Sequence, residues 1–180
     1  MKIEELIDIL HSDGTPVGEA RPRSEVHKKG LWHRTVHIWI FDPIGRILIQ
    51  ERSHEKENNP HLYDTSCAGH ISAGDTSLNA ACREISEELG IRKSPEALQY
   101  LFEATHESIL NGGAYLDNEY YDCYRTTVSE TEIPLIHPQP GEVERFLWFT
   151  LKELFETLQN HPEKFVSHPQ DYAYLKSLLL

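Results

Sequence analysis

Three glutamates, Glu84, Glu87 and Glu88, have the spacing in this 180-residue sequence that most directly indicates chemistry. Positions i, i+3 and i+4 share one face of a helix, so these carboxylates would converge. Convergence costs stability, because like charges repel and because the last turn of a helix disfavours negative charge. A hard divalent cation removes both penalties, since carboxylate oxygens are its preferred ligands. We therefore predict a Mg²⁺ site here, which Mn²⁺ could also occupy.

The helix that carries these glutamates is predicted over residues 76–89, with Gly90 as its C-terminal cap. Arg83 can pair with the carboxylates and hold their geometry. A solvated acidic face is the ordinary interpretation of a heptad such as REISEEL. Gly69 and Gly74 on the preceding loop favour the metal site, because a glycine-bearing loop can bring metals against a phosphate. The apolar stripe predicts the buried face: Leu78, Ala81, Cys82, Ile85 and Leu89.

The rest of the sequence predicts the elements that position this helix. Thr150 and Glu153 form a capping box that begins one C-terminal helix, and Pro169 begins another. Strands interleaved with few helices indicate a mixed-sheet α/β or α+β fold. We predict one domain over residues 1–180, with residues 1–32 as an N-terminal hairpin extension and 150–180 as C-terminal helices. The predicted strands cover residues 35–41, 47–49, 98–110, 114–126 and 145–149.

Composition and charge restrict the function. The net charge of −12 argues against binding a nucleic acid polymer. No apolar run approaches membrane-spanning length, and the first residues do not resemble a secretory signal, so we expect a cytoplasmic protein without membrane contact. An anionic substrate would need metal ions or a local basic cluster to bind. That cluster is predicted at Arg21, Arg23, Lys28, Lys29 and Arg34, with Arg34 as a substrate-binding residue.

Residues 69–91, GHISAGDTSLNAACREISEELGI, resemble the signature box of the Nudix family. That box is a glycine, five residues, a glutamate, seven residues and then R-E-aliphatic-x-E-E-x-G-aliphatic. Asp75, where the family has glutamate, is the single departure, and it keeps the carboxylate. The resemblance covers roughly residues 8–154. The matching positions are Gly69, Arg83, Glu84, Ile85, Glu87, Glu88, Gly90 and Ile91.

The resemblance implies the Nudix fold, with a mixed β-sheet sandwiched between helices. It also implies metal-dependent hydrolysis of a diphosphate linkage in a nucleoside-diphosphate-type or related small molecule, and a homodimer is a family-level expectation. Gly69 would then contact the substrate, and Arg83 would support negative charge at phosphorus. The general base is either Glu84 or a residue outside the box, for which Glu142 and Glu119 are candidates.

Other features are similar to type I isopentenyl-diphosphate isomerases, a branch of the same family. In those isomerases a metal is held by histidines and glutamates at places that correspond to His33, His70, Asp117 and Glu119. His27 lies near a further histidine position, although its spacing to His33 is one residue short. The isomerases therefore add His33 and His70 to the predicted metal ligands.

The isomerases need a catalytic cysteine directly before the Gly-His pair, where this sequence has Ala68. Cys67 lies one residue earlier, and adjacent side chains on a strand point to opposite faces. We therefore predict a hydrolase. An isopentenyl-diphosphate isomerase and a non-catalytic nucleotide-binding Nudix domain are the alternatives.

Overall fold

The N-terminal residues form a separate two-stranded sheet followed by a short helix. In the computed structural model, which describes residues 4–179, strands β1 (Leu6–Leu10) and β2 (Pro16–Pro22) pair in an antiparallel hairpin. Helix α1 (Arg23–Lys29), which the sequence did not predict, packs on the hairpin through a small core of Ile7, Ile9 and Val26. The hairpin prediction is confirmed, and α1 is the addition that brings His27 close to the main sheet.

The main sheet is mixed and has seven strands in the described part of the chain. The strands are β3 (His33–Phe41), β4 (Ile47–Arg52), β5 (Tyr63–Asp64), β6 (Cys67–His70), β7 (Gln99–Leu110), β8 (Tyr115–Thr127) and β9 (Val143–Phe149). The strand order is β5-β4-β3-β8-β7, while β6 pairs with β3 and β9 pairs with β4. β3 and β8 are parallel, and the other pairings are antiparallel.

Helices cover both faces of the sheet. Alternation along β3 sends Val36, Ile38 and Ile40 into a core with α2 (Ser77–Leu89), and it sends Trp39 into a second core on the other face. That second core contains side chains of α3 (Leu151–Asn160) and α4 (Pro169–Ser177). The predicted mixed sheet between helices is confirmed.

Local sequence signals set the ends of α2 and α3. The Thr76 side chain accepts a hydrogen bond from the Asn79 backbone at the start of α2, and Gly90 ends it with φ of 72°. At α3, Thr150 and Glu153 form the predicted capping box with both of its reciprocal hydrogen bonds. Across residues 4–179, no helix is both long enough and apolar enough to cross a membrane.

Candidate active site

A cavity of about 680 Å³ collects the residues with chemical potential. Its walls come from the N-terminal extension, the strands of the main sheet and α2. Side chains from residue 4 to residue 168 contribute to it, so it exists only in the folded chain. The lining is mainly polar and charged, which indicates a polar ligand.

Two of the three glutamates of α2 are buried in this cavity. Glu84 and Glu88 are each 8% exposed, whereas the side chain of Glu87 is 51% exposed. Burial raises the pKa of Glu84 to about 7, and Glu87 adds to that rise. Burial, with the neighbouring Glu84, also raises the pKa of Glu88 to about 8. Glu88 Oε2 is buried without a hydrogen-bond partner among residues 4–179. A bound cation would offset these costs.

Arg83 holds the carboxylate of Glu84 in place. Its guanidinium lies 2.7 Å from Glu84 Oε1 and 3.3 Å from Glu87 Oε2, and it donates to the backbone oxygen of His70 at 2.8 Å. The His70 contact ties α2 to β6. The prediction that Arg83 pairs with the carboxylates is therefore confirmed in geometry, and its effect on a reacting phosphorus stays a prediction.

A second cluster of histidines and carboxylates adjoins the cavity, and its members His70, Asp117 and Glu119 line the cavity itself. Two sets bring one ligand-type atom from each residue within 4.8 Å of one another: His27, His33 and His70 form one, and His33, Asp117 and Glu119 form the other. His27 Nε2 lies 2.9 Å from His70 Nε2. Among described residues these sets approach more closely than the three glutamates of α2 do.

His33 is oriented as a metal ligand would be. Its Nδ1 hydrogen-bonds the backbone oxygen of Leu31 at 3.0 Å, which leaves Nε2 directed at the carboxylates. His33 Nε2 lies 3.7 Å from Asp117 Oδ1 and 3.9 Å from Glu119 Oε1. Neither His33 Nε2 nor Asp117 Oδ1 has a hydrogen-bond partner within residues 4–179. Buried polar atoms are normally paired, so these two fit a cation between them.

The pKa values of this cluster keep its imidazoles available as ligands. Burial lowers the pKa of His33 to about 4 and that of His70 well below its usual value, so both are neutral at pH 7. Burial opposes ionisation of Asp117, but the nearby His27 imidazole, with Nδ1 3.3 Å from Asp117 Oδ1, lowers the pKa of Asp117 overall. Burial raises the pKa of Glu119, and the nearby Asp117 adds to the rise.

Comparison with known proteins identifies the family. The NUDIX domain matches residues 31–169, which include the sheet, α2 and both carboxylate clusters. The chain belongs to the Nudix family.

Relatives carry two kinds of name. The chain is 41% identical to Nudix hydrolase 3 of Arabidopsis thaliana over 83% of its length, although the match covers only 18% of that longer protein. It is also 29% identical to an isopentenyl-diphosphate Delta-isomerase of Serratia proteamaculans, over 91% of this chain and 86% of the isomerase. The solved structure of DR0079 from Deinococcus radiodurans has the same fold, with a TM-score of 0.68, 19% identity, and 96% and 98% of the two chains covered.

The predicted Nudix site residues outside α2 are Gly69, Glu119 and Glu142, and all three line the cavity. Glu142 is paired with Lys56, and Glu119 accepts a hydrogen bond from Thr35 Oγ1 at 3.2 Å. The structure thus places all three candidate bases, Glu84, Glu119 and Glu142, in the cavity wall.

The placement of Arg34 contradicts its predicted contact with substrate. Its guanidinium pairs with Glu103 and Asp122, each through Nη2, at 2.8 and 2.7 Å. It lines neither this cavity nor the adjoining groove around Lys28 and Tyr115. β3 begins at His33, so alternation directs Arg34 away from the Thr35 face. The basic side chains that do line the cavity are Arg23, Arg52 and Lys56, with Arg83 of the Nudix helix.

His27 is a site residue that the sequence-based ligand set left out. The spacing from His27 to His33 is one residue short of the isomerase pattern, yet His27 belongs to the cluster in the structure. Helix α1 ends at Gly30 with φ of 62°, and His27 on its last turn lies against His33 and His70 with ring centroids 4.9 and 5.1 Å away.

The cysteine positions agree with the prediction for the strand. β6 places Ala68 in the cavity wall, while Cys67 belongs to the buried core under α2. Burial, with Glu88 and Glu84 nearby, raises the pKa of the Cys67 thiol. A protonated thiol in the core is poorly suited to nucleophilic or acid-base work.

Proposed function

We propose that this chain is a metal-dependent hydrolase that cleaves a diphosphate linkage in a nucleoside-diphosphate-type or related small molecule. One observation carries the proposal: two groups of ligand-type side chains with unpartnered atoms face one cavity. The first includes Glu88 Oε2 on the Nudix helix, and the second includes Asp117 Oδ1 in the cavity wall, with the unpartnered His33 Nε2 buried 3.7 Å from it. Metal ions offset such costs, and diphosphate chemistry needs metal ions.

The residues that would hold divalent ions form two sets. Glu84, Glu87 and Glu88 make the first, and His27, His33, His70, Asp117 and Glu119 make the second. When bound, Mg²⁺ or Mn²⁺ neutralises the diphosphate and lowers the pKa of a bound water.

The chain's own cations assist binding in this acidic protein. Arg23, Arg52 and Lys56 line both the cavity and the adjoining groove, where Lys28 joins them. Acidic side chains still outnumber these cations in the cavity lining, so divalent metal ions must supply most of the attraction for the phosphates of the substrate.

Glu142 and Glu119 are the proposed candidates for the general base, beside Glu84. Glu142 has the advantage of access, because its side chain is partly exposed in the cavity wall, where it pairs with Lys56. Glu119 is buried and its raised pKa keeps it protonated more readily. We therefore favour Glu142 over Glu119.

The isomerase alternative is disfavoured by β6. Ala68 lines the cavity where the isomerases would have their cysteine, and the thiol of Cys67 lies in the core. Alanine cannot donate or accept a proton, so one half of the acid-base pair for an allylic shift is missing.

The test is a panel of diphosphates incubated with Mg²⁺. We expect phosphate, pyrophosphate or mononucleotide release by the wild type, loss of activity with EDTA, and a loss of about a hundredfold or more in Glu88→Gln. Allylic isomer formed from isopentenyl diphosphate without phosphate release would establish the isomerase instead. Ligand binding that is indifferent to metal and to Glu88→Gln would establish the non-catalytic alternative.

A further inference from the structure

Three histidines form a second wall of the cavity, away from the Nudix helix. His37, on β3, has its ring 4.6 Å from that of His168, which precedes α4, and the ring of His106, on β7, lies 6.1 Å from that of His168. All three line the cavity. They are on the sheet face covered by α4, since His37 stacks on Tyr121 of that core at 4.0 Å. We call this set the histidine wall.

The bonding of His168 leaves one nitrogen free. Its Nε2 hydrogen-bonds Asp64 Oδ1 at 2.7 Å, and Arg52 holds the same carboxylate through Oδ2 at 2.9 Å. Its Nδ1 has no hydrogen-bond partner in the described chain, and the residue is buried, with only 7% of its surface exposed. An unpaired buried polar atom destabilises the folded protein, and a polar ligand atom would offset that cost.

His37 has a similar arrangement. Its Nδ1 is fixed by Asp171 Oδ2 at 3.1 Å, so Nε2 is the ring nitrogen that remains for the cavity. Burial disfavours the charged form of His168, but Asp64 raises its pKa overall, which favours a proton on Nδ1. The two imidazoles therefore present preoriented hydrogen-bonding groups whose other nitrogens are already anchored.

The rest of this region is also polar. Arg52, Asn58, Asn59 and Ser108 line the cavity with the histidine wall, whereas its apolar lining residues, such as Leu110 and Val166, are few. An aliphatic chain buried here would leave several polar groups without partners. Such losses are how a hydrogen-bonding site rejects an apolar ligand.

We infer that the histidine wall binds a polar, hydroxyl-bearing group attached to the diphosphate of the substrate, as in a nucleotide or sugar, and discriminates against an isoprenoid chain. The inference rests on the function proposed above. It assigns His168 and His37 as specificity-determining residues that contact the substrate away from the reacting phosphorus.

The test compares diphosphates that share the reacting group. The polar probes are CDP, ADP-ribose and UDP-glucose, isopentenyl diphosphate is the apolar probe, and methyl diphosphate carries almost no substituent. With Mg²⁺, we expect the wild type to have a higher kcat/KM for at least one polar probe than for isopentenyl diphosphate. A wild type that prefers isopentenyl diphosphate would overturn the inference while leaving diphosphate hydrolysis intact.

His168→Gln is the informative variant, because the glutamine amide can still donate to Asp64 while the Nδ1 position is lost. We expect kcat/KM for the best polar probe to fall about tenfold, mainly through KM, with methyl diphosphate unchanged. His106→Leu should shift the preference toward isopentenyl diphosphate. His161→Gln is the matched control, because His161 is an exposed histidine at the end of α3. Equal losses on the polar probe and on methyl diphosphate would contradict the inference.

A binding measurement separates this inference from the proposed function. The α,β-methylene analogue of the best-bound polar probe is titrated into wild type and His168→Gln by calorimetry. Weaker binding by the variant, with no hydrolysis of any probe by the wild type, would reject the proposed function and support the histidine wall. Equal binding by both proteins would reject the histidine wall whether or not hydrolysis occurs.

Discussion

Gly69 and Glu84 are packed so closely that a Cβ atom at position 69 would lie 2.1 Å from Cδ of Glu84. Side chains do not approach at that distance, so the carboxylate of Glu84 occupies the space that any other residue at position 69 would need. Glycine in the Nudix box is thus explained here by contact with the first glutamate of α2.

Gly69→Ala should therefore reduce activity by displacing Glu84. We expect the loss to approach that of Glu84→Gln, together with weaker Mn²⁺ binding. The measurement is a double-mutant cycle of kcat/KM and Mn²⁺ affinity. If Gly69→Ala acts through Glu84, it should have little further effect in the Glu84→Gln background. Additive losses would show that Gly69 acts independently of this carboxylate.

His33→Gln should remove metal binding at the histidine and carboxylate cluster. The variant loses the unpartnered Nε2, and we expect Mn²⁺ affinity at one site to fall by at least about tenfold. Calorimetric or electron-paramagnetic-resonance titration measures the number of tight sites. His54→Gln is the control, because His54 is an exposed histidine paired with Glu144 outside the cavity. Unchanged Mn²⁺ stoichiometry in His33→Gln would show that the cluster holds no metal.

Glu88→Gln should stabilise the metal-free protein at pH 8. The folded-state pKa of Glu88, about 8, lies above its ordinary value of 4.5. Between these two pH values the folded state therefore holds a proton that the unfolded state has lost. The free energy of unfolding therefore falls as pH rises from about 4.5 toward 8. Glutamine is neutral at every pH, so the variant does not lose this stability. Each kcal/mol gained raises Tm by about 2–4 °C in a protein of this size.

Thermal denaturation with and without Mg²⁺ provides the check. Mg²⁺ should raise the Tm of the wild type more than that of Glu88→Gln, because only the carboxylate is a strong ligand. A variant that is less stable than the metal-free wild type at pH 8, and no different at pH 5, would contradict this account of the buried carboxylate.

The ion pair of Asp64 and His168 should make stability depend on pH in both directions. Burial opposes charge on each group, but His168 lowers the pKa of Asp64, and Asp64 raises that of His168. The His168 contribution is complete below about 6.5 and is lost as pH rises through its raised folded pKa. The Asp64 contribution is present above about 3.9 and is lost as pH falls toward its lowered folded pKa.

Asp64→Asn should consequently cost about 3–5 kcal/mol at pH 6 and less at pH 9. Urea denaturation at both pH values measures the difference. Tyr172, which lies above the same network, provides Tyr172→Phe as a control whose effect should be independent of pH in this range. An equal cost of Asp64→Asn at pH 6 and pH 9 would show that His168 does not change its protonation state between these pH values, and it would contradict the predicted pH dependence.

Local sequence signals predicted the parts of this site that depend on neighbours in the chain. The capped helix α2 and the capping box of α3 follow from residues within four positions of one another. Arg34 was misplaced because the strand was begun at Thr35, and extending the alternation two residues back to His33 would have put Arg34 on the other face.

Contacts between distant residues could not be predicted in the same way. His37 hydrogen-bonds Asp171, a partner that lies 134 residues away in the sequence. No periodicity connects β3 to α4. His27 lies on α1, and the seven residues of this helix are too few for a helical period to be clear in the sequence.

The cavity draws side chains from Glu4 to His168, so both ends of the described chain contribute to it. During synthesis the Nudix helix leaves the ribosome long before Asp171 and His168 do. Until the segment of His168 docks on Asp64, the cavity lacks the wall that His168 forms. A chain that stops before this segment would therefore carry the complete family signature with an open, unfinished cavity beside it.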